Sequence, residues 1–187
     1  MFGICVLSSI PVFFYTYKFP ELLTGQVISI NALNYFLLGN SSIMSITLYP
    51  ILLINILYKK IAYKKFIIPV FFSFILVSVL SINFNPVNWQ GGAINYMISK
   101  NFFENNIYFY FSSFLTFSIF AYLCLENKEN IIILVILLFM FFSYQVYQRY
   151  YDPMFFIIFF TIIKTDLTKL FFFNRNASLL LFLYFIS

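Results

Sequence analysis

The chain alternates between long apolar blocks and short polar breaks. A helix that crosses a bilayer needs about 20 mostly apolar residues, because each residue adds about 1.5 Å of length. Four blocks have this size and are bounded by charges or turn residues, and a fifth carries Lys164, Asp166 and Lys169 in its second half. The predicted spans cover residues 41–58, 67–84, 107–125, 131–148 and 153–173.

The two ends of the chain are less regular. Residues 1–17 are apolar enough to span and lack the basic start and small-residue cleavage pattern of a signal peptide, so we expect a retained helix. Residues 26–39 are short and contain Asn31 and Asn34, which leaves a tilted span, a re-entrant piece and an interfacial helix open. Residues 179–186 are too few to cross.

These blocks predict an all-α polytopic transmembrane bundle of about five to seven membrane helices with one long non-cytoplasmic loop. We expect a single integral-membrane domain over residues 1–187. The chain begins and ends in apolar sequence, which is the pattern of a fragment of a longer protein as much as of a complete one.

Composition supports the membrane prediction and narrows the partners. The chain is 63% hydrophobic and 24% aromatic, with a mean hydropathy of +0.93, against roughly 45–50% apolar residues in soluble domains. The net charge of +5 could suggest nucleic acid, but a nucleic-acid binder needs a basic face on a soluble module. Here the basic residues sit in the breaks between apolar blocks, so we expect membrane lipids as surroundings and no nucleic-acid partner.

The sequence gives little support for a metal site or a reactive thiol. The chain has no histidine, and Cys5 and Cys124 both lie inside apolar blocks. We therefore expect no metal site and no cofactor.

Charge asymmetry predicts the orientation. The block "YKKIAYKKF" places four lysines, at positions 59, 60, 64 and 65, between two predicted spans, and the positive-inside rule makes that loop cytoplasmic. Counting spans outward puts residues 85–106 outside, "ENKEN" in the cytoplasm and residues 149–152 outside. Both candidate sites therefore fall on the non-cytoplasmic face.

The first candidate site is the loop over residues 85–106. It contains Trp89, the pair Gly91 and Gly92, which allows a close backbone approach to a ligand, and Lys100. The following "AINYMISKNFF" segment predicts an interfacial helix with Ile94, Met97 and Ile98 on one face and Asn95, Ser99 and Lys100 on another. The alternative is an ordinary surface helix with Trp89 and Tyr96 as interfacial aromatics.

The second candidate site is the hairpin "YQVYQRYYDPMFF". Arg149 and Asp152 are close enough to pair if the turn is helical, and Pro153 suits the first turn of the next helix. An interfacial arginine offers a bidentate fork to phosphate, and Tyr150 and Tyr151 can stack on sugars or pack against isoprenoid chains. The alternative is a tight hairpin whose tyrosines anchor it among the lipid headgroups.

These two stretches carry a family resemblance. In "QGGAINYMISKNFFENNIYFYFSSF" and "YQVYQRYYDPMFFIIFF" the chain resembles the C-terminal part of a GT-C class glycosyltransferase, in particular the dolichyl-phosphate-glucose-dependent alpha-1,2-glucosyltransferase family. That family has an Arg-Tyr-aromatic-x-Pro pattern, matched by Arg149, Tyr150, Tyr151 and Pro153. The resemblance covers under half of the chain.

The resemblance implies transfer of a sugar, with inversion, from a polyprenyl-phosphate donor on the non-cytoplasmic side. It also implies substrate-binding roles for a set of residues in the two candidate sites: Arg149, Tyr150, Tyr151, Asp152, Trp89, Gly91, Gly92 and Lys100. The family places its catalytic carboxylate in the first non-cytoplasmic loop, and this sequence has no counterpart there, so the base stays unassigned. The alternatives are a non-catalytic subunit with partner membrane subunits and, third, a transporter, flippase or polysaccharide polymerase.

Overall fold

Helices account for nearly all of the chain that the structure describes. The structure is a computed structural model, and it describes residues 30–58, 63–82, 84, 94–139 and 148–186. These ranges contain eight helices and no strand, which confirms the all-α class. The helices are α1 (Ile30–Leu57), α2 (Tyr63–Ser81), α3 (Ile94–Phe103), α4 (Ile107–Glu126), α5 (Asn130–Phe139), α6 (Gln148–Thr161), α7 (Asp166–Phe173) and α8 (Arg175–Ile186).

Two of these helices are long and apolar enough to cross a membrane. They are α4 and the part of α1 from Leu37 to Leu57, with 20 and 21 residues. At 1.5 Å per residue each spans about 30 Å, the thickness of a bilayer's hydrocarbon core. A third crossing results if α7 and α8 count as one broken span, although they meet at 100°. The described residues thus fit an integral membrane protein with two or three candidate spans, and the larger predicted number is not confirmed.

Helix α1 joins two segments that the sequence separated. It runs without a break from Ile30 to Leu57, so residues 30–39 belong to the same helix as the predicted span 41–58. Polar side chains at the predicted boundary form hydrogen bonds inside the fold. The Asn40 amide donates to the Leu138 carbonyl oxygen at 2.8 Å, and the Ser41 hydroxyl donates to the Leu38 carbonyl oxygen at 3.0 Å. Residues 1–29, including the predicted helix 1–17, lie outside the described residues.

The predicted span 153–173 is wrong as a single segment. Helix α6 ends at Thr161 and α7 begins at Asp166, with Thr165 as its N-cap. The Thr165 hydroxyl oxygen accepts from the Leu167 amide at 3.1 Å, which satisfies one of the unpaired amides at the helix start. The charges in this break therefore lie at the end of the bundle and not within a span. Helix α6 also begins at Gln148, earlier than the start predicted at Pro153.

The remaining boundaries follow the predictions more closely. Helix α2 begins at Tyr63 and packs along α4, and its outward side is lined by exposed apolar residues such as Ile68 and Phe71. Helix α5 covers the first part of the predicted span 131–148, and residues 140–147 lie outside the described ranges. Helix α8 contains the short apolar tail 179–186. Exposed apolar side chains on this scale are normal where lipid replaces water.

Candidate functional site

A line of small hydroxyl side chains joins the two spanning helices. We call it the hydroxyl seam, and its members are buried: Ser41, Ser42 and Ser45 of α1 and Ser112, Ser113 and Thr116 of α4. Thr116 donates to the Ser41 carbonyl oxygen at 2.6 Å, and Ser113 donates to the Leu38 carbonyl oxygen at 2.9 Å. Small residues let two membrane helices approach closely, and their hydroxyls then bond across the gap.

Helix α3 turns its polar side towards this seam. Asn95 is 3% exposed and Ser99 is fully buried, whereas Ile94 and Met97 are 45% and 61% exposed. The sequence predicted that Asn95 and Ser99 lie on a different face from Ile94 and Met97, and the structure adds that this buried pair points inward. That arrangement inverts the pattern of a helix in water and suits a helix whose outer face meets lipid. The prediction is wrong for Lys100, which was assigned to the same face as Asn95 and is exposed.

The Asn95 amide is the centre of the polar contacts. Its Nδ2 donates to the Ser42 carbonyl oxygen at 2.7 Å and to the Ser45 hydroxyl oxygen at 2.8 Å. A carbonyl can only accept, so the contact with Ser42 fixes which end of the Asn95 amide is the nitrogen. Nδ2 has two protons, and these two short contacts use both. None of the hydrogen bonds among the described residues is donated to Asn95 Oδ1.

The hydroxyl protons of the seam are also committed. Ser112 donates to the Phe109 carbonyl oxygen at 2.7 Å, and Ser45 donates to the Ser42 carbonyl oxygen at 2.7 Å. The Ser42 and Ser112 hydroxyl oxygens are 2.7 Å apart, so with the Ser112 proton used elsewhere Ser42 is the donor of that bond. What this cluster offers to a ligand is therefore acceptor oxygen.

A cavity of about 250 Å³ opens on this cluster. We call it the Asn95 cavity. Aromatic side chains form much of its wall, and the Tyr184 hydroxyl of α8 donates to the Ile46 carbonyl oxygen at 3.3 Å. Neither acidic nor basic residues line it among those that the structure describes. The lining residues are Ser45, Ile46, Tyr49, Asn95, Tyr108, Phe111, Ser112, Leu115 and Tyr184.

The opposite end of the bundle collects charged side chains. We call it the charged end, and it comprises Lys65, Glu126, Glu129, Lys164, Asp166 and Lys169. Lys164 and Glu129 form an ion pair at 2.6 Å, and Asp166 and Lys169 form another at 2.6 Å. Thr165 donates to the Glu126 carboxylate. On α4 the cavity is lined from Tyr108 to Leu115 and the helix ends at Glu126, so the two features lie roughly 17–27 Å apart along this helix.

Buried Asn130 holds the charged end together. Its Nδ2 donates to the carbonyl oxygens of Leu123 at 2.9 Å and Lys164 at 3.0 Å, and its Oδ1 accepts from the Lys164 amide at 3.0 Å. These bonds join the turn between α4 and α5 to the break between α6 and α7. Asn55 of α1 adds a link to the start of α7, since it donates to the Leu167 carbonyl oxygen at 3.2 Å.

The surface ion pair affects the titration of Glu129. Its hydrogen bond with Lys164, together with the lysine's charge, holds the pKa of the Glu129 carboxyl below its usual value. Both side chains are about two-thirds exposed, so solvent screens the attraction and the pair contributes little to stability.

The residues predicted to form the site fall mostly outside what can be placed. Trp89, Gly91 and Gly92 lie outside the described residues. Four more, Arg149, Tyr150, Tyr151 and Asp152, lie in the first part of α6, where the backbone is described and the side chains are not. Lys100 lies on α3, with an exposed side chain. Their predicted association remains a prediction.

Sequence reasoning missed the residues that do converge. The pattern predicts a polar face that includes Asn95 but no site there, and it predicts the serines of the seam only as parts of ordinary spans. The available signal was the recurrence of hydroxyl residues at helical spacing within apolar blocks, as in Ser41, Ser42 and Ser45. In the described part of the chain, His, Cys, Asp and Glu form no group of three or more that could hold a metal ion.

Comparison with known proteins gives no further lead, since no family model, curated protein or solved structure matches the chain.

Proposed function

We propose that the chain is a membrane glycosyltransferase, or the C-terminal portion of one, that handles a sugar linked to polyprenyl phosphate on the non-cytoplasmic face. Under this proposal the bundle has about five to seven membrane helices, and residues 85–106 form its long outer loop. The observation that supports it is the Asn95 cavity, an uncharged pocket rich in acceptor oxygens and tyrosines within an apolar bundle.

The chemistry of the cavity suits a sugar. A sugar presents several hydroxyl donors. Asn95 Oδ1 can only accept, and the Ser45 and Ser112 hydroxyl oxygens can accept because their own protons are donated to main-chain carbonyl oxygens. The aromatic side chains of Tyr49 and Tyr108 offer flat surfaces against which the apolar side of a sugar ring can pack. At about 250 Å³ the cavity is below the roughly 300–1,000 Å³ of drug-sized sites, which suits a single sugar unit.

The orientation rests on charge. By the positive-inside rule the charged end, together with the lysine block at residues 59–65, is cytoplasmic, so the Asn95 cavity belongs to the non-cytoplasmic half. Helix α6 ends at Thr161, next to the charged end, and is about 20 Å long, and we therefore propose that Gln148 and the residues just after it lie in the cavity's half. We assign Arg149 to the donor phosphate, with Tyr150, Tyr151, Asp152, Trp89, Gly91, Gly92 and Lys100 around the substrate.

The acid–base chemistry of the transfer is not assigned to this chain. Glycosyl transfer with inversion needs a carboxylate or histidine to accept the proton of the attacking hydroxyl. Carboxylates are absent from the Asn95 cavity among the described residues, and the sequence has no histidine. The proposal is therefore tested first by binding and then by transfer.

The experiment uses the full chain in lipid nanodiscs and a panel of polyprenyl phosphates carrying different radiolabelled hexoses. We expect saturable binding of at least one member and weaker binding by Arg149→Ala. The matched control is Arg175→Ala, which removes the chain's other arginine, exposed at the start of α8. Equal binding by both variants would contradict the phosphate role. No binding by the wild type, with stoichiometric copurification of other membrane proteins, would favour a non-catalytic subunit.

A further inference from the structure

We propose that the main-chain carbonyl oxygen of Ile46 is a ligand acceptor of the Asn95 cavity, and that the Tyr184 hydroxyl occupies it until a sugar hydroxyl takes its place. This inference rests on the proposed function, because it names a contact that the same sugar makes and the residue that regulates access to it.

Pro50 deprives the Ile46 carbonyl of its usual helical partner. Pro50 lies inside α1, four residues after Ile46. A carbonyl in an α-helix accepts from the amide four residues later, and proline has no amide proton to donate. The helical bond from residue 50 to the Ile46 carbonyl oxygen therefore cannot form.

The depth of this carbonyl in the membrane makes a donor necessary. Ile46 lies near the middle of the Leu37–Leu57 segment, which is long enough to cross a bilayer. A carbonyl freed by a proline is tolerated at that depth where a neighbouring helix, a side chain or a water molecule supplies the missing bond. In this fold the Tyr184 hydroxyl of α8 supplies it, at 3.3 Å from the Ile46 carbonyl oxygen.

The bond from Tyr184 is weak enough to be exchanged. Bonds from a hydroxyl to an oxygen usually measure about 2.5–3.0 Å, and those of Thr116 and Ser112 in the seam measure 2.6 and 2.7 Å. The Tyr184 side chain is 41% exposed, which gives its ring room to rotate outward. The neighbouring Phe185 packs edge-on against Phe156 of α6, with 4.7 Å between the ring centroids. Rotation of one side chain would thus uncover the carbonyl while α8 stays in place.

The uncovered carbonyl would complete a set of acceptors for a sugar. Ile46 and Tyr184 line the same cavity as Asn95 and Ser45, so one sugar can donate to several of these groups at once. The displaced Tyr184 hydroxyl can in turn donate to a sugar oxygen. The exchange selects for a ligand hydroxyl, because only a donor can replace Tyr184 at a carbonyl. Phosphatidylcholine has no hydroxyl and cannot make this contact.

The test is a double-mutant cycle of Tyr184 and Pro50 in the full chain, reconstituted in phosphatidylcholine nanodiscs. Binding is measured for each radiolabelled polyprenyl-phosphate hexose and for the octyl glycoside of the same hexose, which has neither a phosphate nor a polyprenyl chain. Tyr184→Phe removes the competing hydroxyl, so both probes should bind roughly two- to tenfold more tightly, the range that one net hydrogen bond contributes. Pro50→Ala gives the Ile46 carbonyl a helical donor, so this gain should disappear in that background.

Two control variants make the same chemical changes away from the cavity. Tyr58→Phe removes a hydroxyl just after the end of α1 and should leave both affinities unchanged. Pro69→Ala restores a helical amide in α2, which contributes no residue to the cavity lining. The gain from Tyr184→Phe should persist in the Pro69→Ala background.

The outcomes separate this inference from the proposed function. Binding of both probes that Tyr184→Phe leaves equal or weakens would retain the proposed function and overturn the inference. A gain that persists with Pro50→Ala would also overturn it, because the carbonyl would not be the acceptor. Tighter binding of the octyl glycoside by Tyr184→Phe, with no binding of any polyprenyl-phosphate hexose, would support the carbonyl site and overturn the proposed function. Absence of binding of either probe by every variant would overturn both.

Discussion

The side-chain amide nitrogen of Asn95 lies 2.7 Å from the main-chain carbonyl oxygen of Ser42, although 53 positions separate the two residues. This contact fixes a short helix against a spanning helix, and Asn95 also lines a cavity in the bundle. The contact is thus both a structural link and the basis of the proposed site.

The hydroxyl seam should matter more for its small volume than for its hydrogen bonds. Thr116→Val removes the bond to the Ser41 carbonyl oxygen at nearly constant shape, and we expect a cost of about 0.6 kcal/mol, the average for such bonds in membrane proteins. Ser113→Leu forces a larger side chain between α1 and α4 and should cost roughly 1–3 kcal/mol. Unfolding of both variants in the same detergent measures the difference. A larger loss from Thr116→Val would show that hydrogen bonding dominates the seam.

Asn130 should be the strongest single polar contributor at the charged end. Asn130→Ala leaves the Lys164 amide without its acceptor and the surrounding carbonyls without a donor, so we expect a loss of roughly 1–3 kcal/mol in the free energy of unfolding. Asn176→Ala is the control, because Asn176 is exposed on α8 and should change stability by less than about 0.5 kcal/mol. Similar losses in thermal unfolding for both variants would mean that the Asn130 bonds do not hold this end together.

The contribution of the ion pair between Glu129 and Lys164 to stability should depend on pH. The pKa of Glu129 is lowered in the folded protein, so the pair stabilises the fold above the unfolded-state pKa of the carboxyl group. That contribution is lost as the pH falls through the folded-state pKa. Lys164→Met should raise the pKa of Glu129, as measured by NMR of labelled glutamate, whereas Lys128→Met in the same turn should change it less. Equal pKa values in the two variants would contradict the pairing.

The proposed orientation predicts opposite labelling of Lys100 on α3 and Lys128 in the turn after α4. In a background with Cys5 and Cys124 replaced by serine, Lys100→Cys should react with a membrane-impermeant maleimide from the non-cytoplasmic side. Lys128→Cys should react only after permeabilisation. Both side chains are exposed in the fold, so access depends on the membrane. Labelling of both positions from one side, or in the reverse order, would contradict the proposed orientation.

The sequence predicted helix type well because long apolar blocks permit few other structures in a membrane. It misplaced helix boundaries at polar residues, because a polar residue can either end a helix or form hydrogen bonds within one. The polar stretch at residues 39–42 looked like a break and is instead bonded inside α1, whereas Lys164 and Asp166 looked tolerable within a span and instead mark the break between α6 and α7. Periodicity identifies a polar residue, but burial and partners decide whether it ends a helix.

The candidate site was less predictable than the fold. The sequence drew attention to unusual local composition, such as the pair Gly91 and Gly92 and the hairpin around Arg149. The Asn95 cavity instead arises from common residues on three separate segments, α1, α3 and α4, with α8 closing one side. Such contacts depend on how helices pack, and no local pattern encodes them.

The most direct test of the central claim compares two ligands that differ only by the sugar. Native mass spectrometry of the wild-type chain should show that a polyprenyl-phosphate sugar binds about tenfold more tightly than the same polyprenyl phosphate without it, a difference of about 1.4 kcal/mol. Asn95→Ala should abolish that difference, and Asn101→Ala, exposed on the same helix, should preserve it. Equal affinity of the wild type for both ligands, or the same preference in both variants, would contradict the assignment of the Asn95 cavity to a sugar.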